Sequence, residues 1–315
     1  MFSNLIIAFH TVFPLCVLLG LGAFLGKKGM CGPVTQKEGN NIVFKALLPC
    51  LIFKNIFYTD FNTDFDLFLV VFSVGVVFFQ YGYGVVLSRI LDDDVKCQGA
   101  IVHSVFRTNA LIFGMAVLIN MYGSGDVLGA SSIAMAVVVP IVNVLAVITL
   151  ERYRGGKADG AKIFRGVISN PIIVATLIAL VLRGVGISNF PEFINLSISS
   201  IAALTTPMAL LFLGASVDVE SIKRNSKKLV ICIFSRLVVL PAILVTIAAL
   251  VGFRESSLAC VLVISGGPTA VAAYTMSVSM DSDSDFTGQM VAFTTTFSCG
   301  TIFLWIFILM QLGLL

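Results

Sequence analysis

Two short stretches in a very apolar chain hold the residues whose types and spacing could do chemistry, Arg107-Thr108-Asn109 and Gly266-Gly267-Pro268-Thr269. Each interrupts a hydrophobic run with polar or helix-breaking residues. Pro268 has no N–H and clashes with the turn before it, while Gly266 and Gly267 lower the cost of irregular backbone. In hydrocarbon a broken helix leaves backbone N–H and C=O groups without partners, so a break persists only where protein or a water-filled cavity supplies them. The freed N–H groups of a half-helix, together with the positive end of its dipole, suit a carboxylate. A proline kink packed against its neighbours is the plainer account of Pro268, and the matching cluster at Asn109 tips the balance toward a binding site.

Arg107 lies near the middle of its run, where an arginine in a bilayer costs at least about 2.5–3.5 kcal/mol. No acidic residue lies within any apolar run away from its ends, and Asp218 and Glu220 fall at an edge. An anion from outside the protein is therefore a reasonable counter-charge. Snorkelling to the surface, or capping of broken backbone, is equally open for this side chain. His103, one turn earlier, fits a hydrogen-bonded structural histidine better than a proton site. Asn143, following Pro140, either reaches the same place or bonds a neighbouring helix. Thr294, Thr295, Thr296 and Ser298 sit at comparable depth in the last run.

The expected substrate-binding set is thus Arg107, Thr108, Asn109, Asn143, Gly266, Gly267, Pro268 and Thr269, with Pro49 and Pro207 as helix bends or hinges. Lys45 and Arg236 lie nearer the ends of their runs and are expected to snorkel. Gly22 and Gly26 read as close helix packing. Asp92-Asp93-Asp94 and Asp281, Asp283 and Asp285 read as solvated loop residues, lacking the glycine and distal glutamate of a calcium loop.

The absences narrow the function. No nucleophile–base pair, phosphate loop or zinc spacing occurs, so no catalytic residue, metal or cofactor is expected beyond a coupling ion, H+ or Na+. The seven cysteines are scattered without C-x-x-C spacing, and there are only two histidines, His10 and His103. A net charge of +3 without a basic, aromatic patch argues against nucleic acid.

These residues must be positioned by membrane helices. Of 315 residues, 58% are hydrophobic and 12% charged, against about a quarter charged in soluble domains. Ten apolar runs are long enough to span a bilayer, at residues 4–26, 40–57, 67–90, 98–121, 127–151, 169–185, 193–217, 229–251, 256–279 and 286–314. The first lacks the basic flank of a signal peptide and is expected to stay in the mature protein. With the connections numbered along the chain, the odd ones hold 14 lysines and arginines and the even ones 3. Positive charge marks the cytoplasmic side, so both termini are expected outside and the 152–165 linker in the cytoplasm.

The halves repeat a pattern. Pro49 to Asn109 is 60 positions and Pro207 to Pro268 is 61. Five runs per half give the halves opposite polarity, the arrangement of an inverted repeat with its site where interrupted helices meet. The expected fold is an all-α polytopic membrane protein, with a first repeat at 1–151, a linker at 152–165 and a second repeat at 166–315.

Several stretches resemble the auxin efflux carrier family. They are Phe106-Arg107-Thr108-Asn109-Ala110-Leu111-Ile112-Phe113-Gly114 with Tyr122-Gly123, Leu47-Leu48-Pro49-Cys50-Leu51-Ile52-Phe53, Asn143 with Leu145 and Val147, Phe212-Leu213-Gly214, and Ser265-Gly266-Gly267-Pro268. The resemblance extends over the whole chain. It implies ten helices in two inverted repeats, with the fourth and ninth interrupted where they cross at Asn109 and Pro268. It also implies a scaffold of helices one, two, six and seven beside a transport domain, often assembled as a homodimer. Thr269 stands where plant members carry an asparagine, and the central linker is short; both point away from auxin and toward a bacterial carrier in the inner membrane. The expected function is secondary transport of a small mono- or dicarboxylate by alternating access. The alternative is a membrane sensor or scaffold of the same fold that moves nothing.

Overall fold

The computed structural model describes residues 2–58, 66–122, 129–155, 160–187, 189–216 and 219–315. These residues are helical almost throughout. In chain order the helices are α1 (Phe2–Lys27), α2 (Pro33–Ile42), α3 (Leu48–Phe57), α4 (Leu67–Leu91), α5 (Val95–Phe106), α6 (Met115–Tyr122), α7 (Gly129–Arg152), α8 (Gly160–Ile168), α9 (Pro171–Gly184), α10 (Glu192–Ala215), α11 (Val219–Phe234), α12 (Leu240–Val251), α13 (Glu255–Gly266), α14 (Val271–Ser279) and α15 (Ser284–Gln311). Five continuous stretches among the described residues are long and apolar enough to cross a membrane: Pro33–Phe57, Leu67–Leu91, Gly129–Arg152, Glu192–Ala215 and Asn225–Val251. A sixth, Ser284–Ser298 with Gly300–Gln311, bends by 44°. The protein is thus an all-helical integral membrane protein. Gly123, Asp218 and residues 156–159 of the expected linker lie outside the described residues, and α8 takes up the linker's far end.

Local chemistry sets where helices begin and bend. The side chains of Asp66, Asp94, Asn170 and Asp283 accept backbone N–H groups at the starts of α4, α5, α9 and α15. Gly252 closes α12 in the left-handed region at φ 109°, a conformation that suits glycine. The segments Pro33–Phe57 and Asn225–Val251 each contain one π-helical turn, Val43–Leu47 and Ser235–Val239. Each turn lies just ahead of a proline, Pro49 or Pro241, whose missing N–H leaves the ladder one bond short. The Trp305 indole donates to the Leu237 carbonyl four residues before Pro241 at 3.1 Å, replacing the bond that Pro241 cannot make. Pro207 sits inside the uninterrupted α10.

Packing is tightest where glycines meet backbone. A Cβ at Gly22 would stand 2.2 Å from the Leu211 carbonyl oxygen, one at Gly26 2.7 Å from that of Ala215, and one at Gly214 2.1 Å from that of Leu19. These glycines let α1 and α10 approach backbone to backbone. The main buried cluster draws on α3, α4, α5, α7, α12, α13 and α15, while a smaller one joins α10 to α14 through Leu210, Phe212, Leu213, Val271 and Tyr274.

The loop aspartates do more than face solvent. Besides the capping by Asp94 and Asp283, Asp92 pairs with Lys228 of α11 at 2.6 Å and Asp281 with Lys96 of α5 at 2.8 Å. Burial pushes the Asp92 carboxyl up, but hydrogen bonds from Lys228 and the Asp94 backbone outweigh it and hold the group below its usual range. The bond from Lys96 does the same for Asp281. These contacts clamp the α4–α5 connection to α11 and to the α14–α15 turn.

Candidate functional site: a crossing of two broken helices

Helix α5 stops at Phe106 and the chain resumes as a π-helical turn, Ala110–Gly114, leading into α6. Helix α13 stops at Gly266 and α14 starts at Val271. The two extended links lie against each other as a short antiparallel bridge centred on Thr108 and Thr269. The Asn109 N–H donates to the Pro268 carbonyl at 2.9 Å, and the Ala270 N–H to the Arg107 carbonyl at 3.0 Å. Each break therefore supplies the partners that the other lacks, which is what a low-dielectric surrounding demands.

The threonine side chains extend this exchange. The Thr269 hydroxyl donates to the Ser104 carbonyl near the end of α5 at 2.9 Å, and the Thr108 hydroxyl to the Val263 carbonyl near the end of α13 at 3.4 Å. The Thr269 N–H donates in turn to the Thr294 hydroxyl of α15 at 3.0 Å, and Gln80 of α4 donates to the Ser265 carbonyl at 2.9 Å. Gly267 is there because space is short, since a Cβ would stand 2.5 Å from the Val263 oxygen and 2.9 Å from the Thr108 hydroxyl. Gly266 packs against the Pro241 ring, 3.1 Å from where its Cβ would be.

A cavity of about 80 Å³ lies against one side of the crossing. The space is large enough for several waters or one small carboxylate. The first residues of both following half-helices, Ala110 and Ala270-Val271-Ala272, line it together with Arg107, Thr108, Asn109 and Asn143. Facing them are Asn55, Thr205, Thr206 and apolar residues of the Pro33–Phe57 and α10 segments, with Thr275 of α14 at one side. Among the described residues, no acidic one lines it.

Arg107 is 3% exposed and Asn143 2%. One Arg107 Nη donates to the Asn143 side-chain oxygen at 2.9 Å. Its Nε and other Nη, and the Asn143 amide nitrogen, have no hydrogen-bond partner among the described residues. Arg107 thus neither snorkels nor caps broken backbone with its side chain. It is held at the cavity wall with donors to spare.

Of the expected site residues, Arg107, Thr108, Asn109 and Asn143 come together on the cavity. Gly266, Gly267, Pro268 and Thr269 lie behind it and build the crossing. Pro49 and Pro207 flank the opposite wall without lining it. Asn55, Thr205, Thr206 and Thr275 escaped the sequence reading, although Thr205 and Thr206 immediately precede Pro207 and Asn55 is an amide in an apolar run. Two expectations are corrected. His103 is fully buried, yet neither ring nitrogen has a hydrogen-bond partner among the described residues; its ring packs near Phe106 instead. Arg236 does not snorkel: its side chain is fully buried and donates into the back of the crossing. Lys45, by contrast, is exposed. Among the described residues no group of three or more possible metal ligands occurs.

Comparison with known proteins places the chain among membrane transport proteins. An uncharacterized transporter of Methanocaldococcus jannaschii is 24% identical over 318 residues, covering 97% of this chain and all of the relative. The membrane transport protein family matches residues 7–306. The chain belongs to that family, the auxin efflux carriers of the resemblance, and is a transport protein rather than an enzyme.

Proposed function

We propose that this transporter carries small mono- or dicarboxylates by alternating access, binding the anion in the cavity beside the crossing. The observation that carries the reading is a buried guanidinium, Arg107, whose Nε and one Nη have no partner among the described residues, on a cavity with no acidic residue among its described lining. The N-terminal turns of two half-helices end on the same space, and their partial positive charge favours the same ligand. Arg107 would pair with the carboxylate, while Asn109, Asn143 and the hydroxyls of Thr206 and Thr275 would orient the rest of the molecule.

Ten membrane crossings follow when α1, α9, and the broken pairs α5–α6 and α13–α14 are added to the six apolar stretches. The reciprocal pairing of the two breaks favours a five-plus-five inverted repeat, with both termini outside in a bacterial inner membrane. Cavity residues from α3 and α10 belong to the scaffold group implied by the resemblance, and those from α5, α7 and α14 to the moving group. Sliding or rocking between these groups would expose the site to each side in turn, in a protein assembled as a homodimer.

Uptake of labelled carboxylates into proteoliposomes tests the proposal. Flux should saturate with substrate, and Arg107→Ala should lower it about tenfold to a hundredfold, the loss of one charge-assisted hydrogen-bonded pair. Undiminished flux in that variant removes the charge-pairing role. Flux that never saturates indicates a pore.

A further inference from the structure

The crossing sorts its four helix ends by sign. The two N-terminal ends, at Ala110 and Val271, face the cavity. The two C-terminal ends meet behind it, where Arg236 donates from Nε to the Gly267 carbonyl at 3.1 Å and from an Nη to the Val105 carbonyl. Those carbonyls belong to the last turn of α5 and the residue closing α13. Helix C-termini carry a partial negative charge, and two of them converging in a buried place call for a cation. Broken-helix transporters commonly meet that demand with a bound ion, held by unwound carbonyls and half-helix ends. Here the guanidinium of α12's approach turn fills the place. It is fully buried and keeps one Nη without a partner among the described residues. The π-helical turn Ser235–Val239 holds the residue, and Tyr83 bonds the neighbouring Ser235 hydroxyl at 3.0 Å.

We propose that Arg236 is a built-in cation of the crossing, standing where a monovalent metal ion would otherwise be bound, so that the carrier assembles its site without sodium. Arg236 is a positioning residue: it touches the backs of both breaks and leaves the substrate to Arg107. The inference deepens the anion-carrier reading and rests on it for the identity of the site being held. Its physical content is separate, since the charge balance of two helix ends does not depend on what the cavity takes.

Thermal melting of the purified full-length protein in sodium chloride and in choline chloride, at matched ionic strength, is the test. Wild type should melt at the same temperature in both salts, and any shift induced by a carboxylate should be equal in both. Arg236→Ala should melt lower in choline and recover part of the loss in sodium or lithium, because removing the tethered charge leaves the carbonyls to a free ion. Arg236→Lys, which keeps the charge, should remain indifferent to the salt and keeps the test decidable if the alanine variant fails to fold. Sodium-specific stabilisation of wild type or of Arg236→Lys overturns the proposal. So does an Arg236→Ala protein that melts like wild type, or one destabilised equally in both salts, which reduces Arg236 to packing. A wild type that no carboxylate stabilises would count against the anion site and leave the salt comparison standing.

Discussion

At the scale of single residues, two arginines in an apolar chain have opposite tasks, and the difference lies in what each faces. Arg107 looks onto the cavity with Asn143 as its one hydrogen-bond partner among the described residues, so Asn143→Leu should free the guanidinium from its orienting partner. Substrate KM should rise several-fold, read from saturation curves of proteoliposome uptake, with less effect on the maximal rate. Arg107→Lys should retain part of the flux that Arg107→Ala loses, because a point charge still attracts the anion but gives up the planar fork. How far these residues were legible in the sequence follows from the same contrast. Arg107 and Asn109 stood out as polar groups deep in a run. Arg236 was misjudged because its position along a helix gave a depth without a facing direction, and the carbonyls it bonds are 31 and 131 positions away. Asn55 and Thr206 were missed because a lone amide or hydroxyl in a membrane helix commonly bonds its own backbone or a neighbour.

At the scale of elements, the breaks were legible and the bends only partly. Glycine and proline punctuate α13 and α14 visibly, while the π-helical turns ahead of Pro49 and Pro241 depend on how the freed carbonyls find partners such as Trp305. Close approach makes two glycines sensitive. Gly214→Ala would press a methyl group on the Leu19 backbone, and the shift between α1 and α10 should cost about 1–3 kcal/mol in a thermal melt. Gly267→Ala would strike the Val263 carbonyl and Thr108, so it should disturb transport as well as stability. The clamp at Asp92 has a pH signature. Its folded-state pKa is depressed, so its contribution is present above the ordinary value of 3.8 and disappears as pH falls through the lowered one. Asp92→Asn should lower stability at neutral pH by about 1 kcal/mol and flatten the acid limb of the melting-temperature profile.

At the scale of the whole molecule, the cavity lies between two groups of helices: Arg107, Asn109, the half-helix ends and valines of α7 line one side, and Asn55, Thr205, Thr206 and apolar side chains of α3 and α10 the other. A cysteine placed at Thr206 in a background without the native cysteines should react with a membrane-impermeant thiol reagent from one side at a time. Saturating carboxylate should slow that reaction if the anion sits where the geometry allows. Low charge content and run lengths made the helical membrane class readable from sequence. The seating of one break on the other was not, because it depends on backbone groups that every residue type shares. That seating has a consequence for how the protein can be made. A chain severed in the stretch after α7 would yield two fragments, each with a gap that only its sibling can close; neither should persist in a membrane alone, and both should survive when produced together.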